Sequence, residues 1–141
     1  GAVINKRSEV EVQSLARYGM HLGTAFQLID DVLDYTASAE LMGKNIGDDL
    51  AEGKPTLPLI HAMKVGSEQQ SSIIRQAIEQ GGRGSINDVI AAIESTGAIA
   101  YTADLAQAEA QLAVAALAPI PPSIYKEALL ELADFAVNRD H

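Results

Sequence analysis

The sequence predicts an all-α protein, and three observations lead to that class. Apolar residues recur at three- and four-residue steps along most of the chain. No segment alternates apolar and polar residues as a half-buried strand would. Residues 98–118 hold ten alanines and neither Pro nor Gly, the strongest local helix signal present. Hydrophobic residues make up 48% of the 141 positions, aromatics only 4%, and Trp is absent. The core must therefore be built from Leu, Ile, Val and Ala, which suits closely packed helices better than a β-sandwich. The length is enough for one domain with a real core. With no internal repeat or low-complexity linker, 1–141 reads as a single domain.

The first helix spans about Ser8 to Tyr35, through Val12, Leu15, Tyr18, Leu22, Phe26, Ile29 and Leu33, with Ser8 as N-cap and Glu9 and Glu11 in its first turn. Gly19 and Gly23 lie inside it, each at a cost of up to about 1 kcal/mol relative to Ala. Close approach by another helix or a ligand is the usual reason. Residues 36–53, with Gly43, Gly47 and Gly53, read as a loop. A second helix begins near Thr56, tolerates Pro58 in its first turn, and stops at Gly66.

Ser67 and Gln70 form a capping-box pair for the next helix, which carries Ile73, Ile74, Ala77 and Ile78 and ends at Gly81, Gly82 and Gly84. Asn87 caps a short helix holding Val89, Ile90 and Ile93, which stops at Gly97. The alanine-rich helix follows, and Pro119, Pro121 and Pro122 break it. Ser123 caps a last helix with Leu129, Leu132, Phe135 and Ala136.

Net charge is -9, a poor surface for nucleic acid, which demands an excess of Lys and Arg. Such a surface accepts an anionic substrate only where metal ions or placed cations reverse the field locally. Cys is absent, which rules out disulfides and fits a reducing compartment. No apolar run approaches the roughly 18 to 20 residues of a membrane span, and no signal peptide is read at the start. A cytoplasmic setting without a transmembrane segment is the expectation.

Asp30, Asp31 and Asp34 are the most informative residues. Their spacing puts Asp34 on the same helical face as both others, and Gln27 joins that face one turn earlier. Like charges at i,i+4 repel by about 0.2–0.5 kcal/mol on an exposed helix, and more when partly buried. The helix C-terminus also disfavours anions. No Lys or Arg occurs between Tyr18 and Gly43, so an external cation is the simplest remedy. Hard carboxylate oxygens with open positions suit Mg²⁺, which keeps waters and bridges to phosphates. Phe26, Leu28, Ile29, Val32 and Leu33 surround the acids, so the helix is expected to be buried on most sides. Taken alone, the stripe is equally a solvated acidic face.

An EF-hand fails, because a loop starting at Asp30 puts Val32, Tyr35 and Leu41 at ligand or glycine positions. Gly43-Lys44, Gly47-Asp48-Asp49-Leu50 and Gly53-Lys54-Pro55-Thr56 follow. Lysines beside glycines can meet a phosphate at close range. Alone they are more simply an ordinary loop with solvated lysines. The spacing is not that of a Walker A loop. His21, His61 and His141 do not converge in sequence and read as packing or surface residues rather than a metal set.

Together, Phe26-Gln27-Leu28-Ile29-Asp30-Asp31-Val32-Leu33-Asp34-Tyr35, Gly43-Lys44, Gly47-Asp48-Asp49-Leu50 and Gly53-Lys54-Pro55-Thr56-Leu57-Pro58 closely resemble the second aspartate-rich region of the trans-isoprenyl (polyprenyl) diphosphate synthases. The likeness is specific over residues 19–63. It continues more loosely to Leu132-Ala133-Asp134-Phe135-Ala136, which is similar to the last helix of long-chain bacterial members.

That resemblance implies a helical bundle of the isoprenoid (terpenoid) synthase type, of which this is the C-terminal portion. It implies Mg²⁺ held chiefly by Asp30 and Asp31, with Asp34 acting largely through water. Gln27, Lys44 and Lys54 would meet the diphosphate, Lys44 and Gln27 with a catalytic part, and Asp48 would support the lysine and metal network. The implied reaction condenses an allylic diphosphate with isopentenyl diphosphate, giving a long chain for a quinone, in a homodimeric full-length enzyme. The family's first aspartate-rich motif and its neighbouring basic residues are absent, so these 141 residues alone are expected to be inactive. Two readings compete: a non-catalytic subunit of a heteromeric prenyl synthase, and a purely structural bundle. The intact Asp30-Asp31-x-x-Asp34, Lys44 and Lys54 argue against the first.

Overall fold

The computed structural model describes residues 6–36, 39–53, 56–80 and 86–138. Among them every regular element is a helix: α1 (Lys6–Thr36), α2 (Ala39–Ala51), α3 (Leu57–Val65), α4 (Glu68–Gln80), α5 (Ile86–Ser95), α6 (Ala98–Ala116) and α7 (Ile124–Val137). The all-α expectation holds. The chain divides into two compact units. One holds α1 as far as Ile29, α6 from Leu105, and α7; the other is Asp30–Asp104.

In the first unit, α1 buries Ser14, Tyr18, Leu22, Ala25 and Ile29, whose steps of three and four trace one face of a helix. Tyr18 and Leu22 join Ala113, Leu117, Ile120, Ala133 and Ala136 in one apolar cluster. Small residues at three of these positions, Ala113, Ala133 and Ala136, let helices approach closely. Ser8 is not the N-cap expected of it, because α1 already runs at Lys6. No Pro or Gly stands at residues 6–8 to stop the helix. Val12, assigned to the apolar stripe, is 65% exposed. At the far end, the Ser123 hydroxyl caps α7 by accepting from the Lys126 N–H at 3.0 Å, as predicted. Leu132 and Phe135 of α7 stay exposed, while Ala133 and Ala136 face inward.

In the second unit, α2, α3, α4 and α5 pack together around Tyr35, Ile46, Leu50, Leu59, Ile74, Val89 and Ile93. The capping box is reciprocal: the Ser67 N–H donates to Gln70 Oε1 at 2.9 Å and the Gln70 N–H to Ser67 Oγ at 3.1 Å. Asn87 lies inside α5 rather than capping it, since the helix begins at Ile86. Gly53 and Gly97 each take φ of 67° as the chain leaves α2 and α5, a conformation that favours glycine. The helix stops assigned to Gly81, Gly82 and Gly84 lie outside the described residues.

The largest departure is α2 (Ala39–Ala51), which stands within the loop predicted over residues 36–53. Its glycines serve packing. A Cβ on Gly47 would stand 3.3 Å from Ile86 Cδ1, and one on Gly43 3.9 Å from Ile86 Cγ2. Four residues apart, the two glycines form a smooth strip that receives Ile86, with Ile46 and Leu50 fully buried beside it. Gly19 and Gly23 behave differently, because nothing lies within 4 Å of a Cβ at either.

Candidate functional site

The last two turns of α1 position the acidic stripe. Gln27, Asp30 and Asp34 are exposed and Asp31 is half-buried, while Ile29 is buried on the other side. The expected burial on most sides is found only in part. Phe26, Leu28 and Val32 are half-buried, and Leu33 is 39% exposed. The stripe therefore borders water rather than a packed interior.

Lys44 and Asp48 follow on α2, one helical turn apart and both exposed. They stand on a helix rather than in the glycine loop expected, since α2 turns Gly43, Ile46, Gly47 and Leu50 inward. Lys54 lies outside the described residues.

Beside the stripe the structure shows a contact that sequence reasoning missed. Tyr35 is only 3% exposed, and its hydroxyl lies 2.6 Å from Thr56 Oγ1 and 3.3 Å from Asp49 Oδ2. A carboxylate can only accept, so the Tyr35 hydroxyl donates to Asp49 and its oxygen takes the proton of Thr56. The contact joins the end of α1 to α2 and to the start of α3.

Thr56 occupies the N-cap of α3 in extended backbone, yet its side chain makes no capping bond. A Thr cap normally serves the N–H of the second or third helical residue, and loss of that service costs about 1 kcal/mol. Here Pro58 removes one of those N–H groups, and the hydroxyl turns to Tyr35 instead. A side chain that forgoes its local rule points to a tertiary or functional demand. Burial pushes the Tyr35 hydroxyl above the ordinary tyrosine value. The Thr56 bond works the other way, and the nearby charges of Asp49 and Asp31 reinforce the rise. Both carboxylates thus act on one buried hydroxyl. The signal available in sequence was a Thr at a helix start followed by Pro at the second position, and a Tyr directly after the stripe.

Among the described residues, no three His, Cys, Asp or Glu side chains converge closely enough to enclose a metal ion. That does not conflict with Mg²⁺, which is commonly held by one or two carboxylates, water and phosphate rather than by an all-protein cage. Adjacent hard oxygen donors at Asp30 and Asp31, reachable from solvent, fit this open mode. The histidines take ordinary roles. His21 Nδ1 lies 2.6 Å from Glu109 Oε2, and His61 stacks on Tyr101 with centroids 3.9 Å apart. No described helix is long and apolar enough to cross a membrane.

Residues 1–95 match the family model for polyprenyl synthetase. The chain is 50% identical over 141 residues to the octaprenyl diphosphate synthase of Haemophilus influenzae, covering 99% of this chain and 43% of that protein. It is 53% identical over 131 residues to the octaprenyl diphosphate synthase of Escherichia coli, covering 92% and 41%. It thus spans about two-fifths of the length of these curated relatives. Among solved structures, a polyprenyl synthase from Roseobacter denitrificans superposes with a TM-score of 0.81 at 36% identity, covering 96% of this chain and 43% of that one. A polyprenyl synthase from Caulobacter crescentus, solved with calcium and isoprenyl diphosphate, gives 0.75 at 43% identity, covering 92% and 40%.

Proposed function

This chain belongs to the polyprenyl synthetase family, and on that premise we propose that it is the C-terminal part of a long-chain polyprenyl diphosphate synthase, within one catalytic domain. It would carry the side of the active site that grips the allylic diphosphate. The observation supporting this best lies within the matched segment: an acidic stripe ends one helix and an exposed lysine stands on the next.

Asp30 and Asp31 would hold Mg²⁺, with Asp34 reaching it through water. When bound, the ion supplies positive charge that stabilises the departing diphosphate. Lys44, and Lys54 beyond it in sequence, place further cations against the diphosphate oxygens. Gln27 offers an amide to the same group from one turn upstream on α1, and Asp48 orients Lys44 from one turn along α2. The allylic C–O bond breaks, the double bond of isopentenyl diphosphate forms the new C–C bond, and a proton leaves. A relative at 43% identity binds isoprenyl diphosphate together with calcium, which supports such a ligand pair here. The same reading assigns a quinone-chain product, homodimerisation of the full-length enzyme, and no condensation by these 141 residues alone.

The test uses the full polypeptide its gene encodes. Calorimetric titration with inorganic diphosphate should show binding that depends on Mg²⁺. Asp30→Ala with Asp31→Ala should weaken it beyond the roughly 10- to 100-fold that loss of a ligand's supporting partner costs. Equal binding by wild type and double variant, or binding indifferent to Mg²⁺, would sink the proposal in favour of a non-catalytic subunit.

A further inference from the structure

Tyr35 has no part in the chemistry above, yet it is a buried polar side chain that directly follows the acidic stripe. We propose that Tyr35 and Thr56 are positioning residues whose paired hydroxyls hold Asp49, and with it α2, in fixed register against the acid-bearing end of α1. The inference rests on the polyprenyl synthase reading and extends it to residues that do not themselves touch the diphosphate.

The geometry of α2 makes such a device necessary. Its inward face offers Gly43, Ile46, Gly47 and Leu50, and Ile86 lies against the two glycines. Apolar contacts of this kind are non-directional, and a glycine strip gives no ridge to stop one helix sliding along another. A hydrogen bond is directional and loses its strength steeply with distance and angle. The Tyr35 hydroxyl supplies one such bond to α2 at 3.3 Å, and the 2.6 Å contact with Thr56 supplies another to α3. The ring is locked in the core with Ile46 and Leu50, so the hydroxyl has little freedom to follow a shifting partner. Thr56 forgoes its capping bond to hold that hydroxyl. Asp49 is half-buried where its neighbour Asp48 is exposed, so the strut selects one acid of the pair and leaves the other to solvent. Any shift of α2 would carry Lys44 with it, since both stand on the same helix.

The test again uses the full polypeptide, with Mg²⁺ titrated in the presence of inorganic diphosphate by calorimetry, and thermal unfolding followed in parallel. Tyr35→Phe keeps the ring and removes both bonds. It should weaken the apparent Mg²⁺ affinity about tenfold, the lower range for loss of a supporting partner. Thr56→Val should give a smaller loss in the same direction, and Thr56→Ser, which keeps the hydroxyl, should restore wild-type affinity. Tyr35→Phe combined with Asp49→Ala should be no weaker than the poorer single variant, since both break one device. A lowered melting temperature with Mg²⁺ affinity within about twofold of wild type would reduce Tyr35 to a structural residue and overturn the proposal. Should Tyr35→Phe fail to fold, the Thr56→Val and Thr56→Ser pair decides alone: equal affinities overturn it, and a loss rescued by Ser upholds it. Absence of Mg²⁺-dependent binding in wild type itself would instead remove the polyprenyl synthase reading and this one with it.

Discussion

Tyr18 and Tyr35 stand on the same helix, each at most 5% exposed and each with its hydroxyl engaged, but in different units and with different partners. Tyr18 donates to the backbone carbonyl of Leu129 at 2.6 Å, a neutral tie inside a cluster of Leu, Ile and Ala. Tyr35 meets two side chains, one a carboxylate, within the electrostatic reach of Asp31. A carbonyl in a helix stays where the helix puts it, so the first tie reports on packing alone. The second links groups whose positions matter to charge. Similar burial of the same residue type therefore gives no guide to its part in the molecule; the partner of the hydroxyl does.

Four experiments would break or sharpen that contrast. The largest stability effect should come from Tyr35→Phe. It leaves the Thr56 hydroxyl, 6% exposed, without its partner, at about 1–3 kcal/mol. Tyr18→Phe removes one ordinary hydrogen bond and should cost about 0.5–1.5 kcal/mol in urea unfolding. The reverse order would mean that the Tyr18 tie is the more demanding of the two.

Alkaline pH probes the same pair. The ionised phenolate is disfavoured by burial at both, first by desolvation in each case, so both folded values lie above the ordinary value of about 10. The folded state then holds its proton more tightly than the unfolded chain. This stability is fully present below about pH 10 and is lost as pH rises toward the folded value, at up to about 1.4 kcal/mol per pH unit for Tyr35. Urea midpoints measured from pH 9 to 11 should fall less steeply in Tyr35→Phe than in wild type. An unchanged slope would show that its hydroxyl ionises freely.

The two caps form a smaller contrast. Ser123→Ala should lower stability by about 1 kcal/mol and leave diphosphate binding intact, because among the described residues that hydroxyl serves only the Lys126 N–H. The glycines give the smallest effect. Gly19→Ala should raise stability by up to about 1 kcal/mol in thermal unfolding of this chain, since an added Cβ meets nothing within 4 Å. Gly47→Ala should gain less, because its Cβ would press on Ile86. A loss at Gly19 would show that another surface covers it.

Local signals placed most of the helices. Pro58, Gly66, the Ser67–Gln70 box, Gly97 and Ser123 all mark ends through short-range hydrogen bonding or backbone geometry, and the ends fall where they stand. Residues 36–53 were misread for the opposite reason. Helix propensity penalises Gly43 and Gly47, but the penalty is offset when Ile86, distant in sequence, fills the strip they leave. The acidic stripe was legible because Asp30, Asp31 and Asp34 lie within one turn of a single helix. The Tyr35 contact was not, because its partners come from two other helices.

The sequence by itself determined the helical class, the Ser67 and Ser123 caps and the acidic face, all set by interactions between residues a few positions apart. Tertiary structure alone decided that a glycine-bearing stretch is a helix, which acid of Asp48 and Asp49 is drawn inward, and where the Thr56 hydroxyl points. Those outcomes depend on burial and on partners many residues away, whose approach no local pattern encodes.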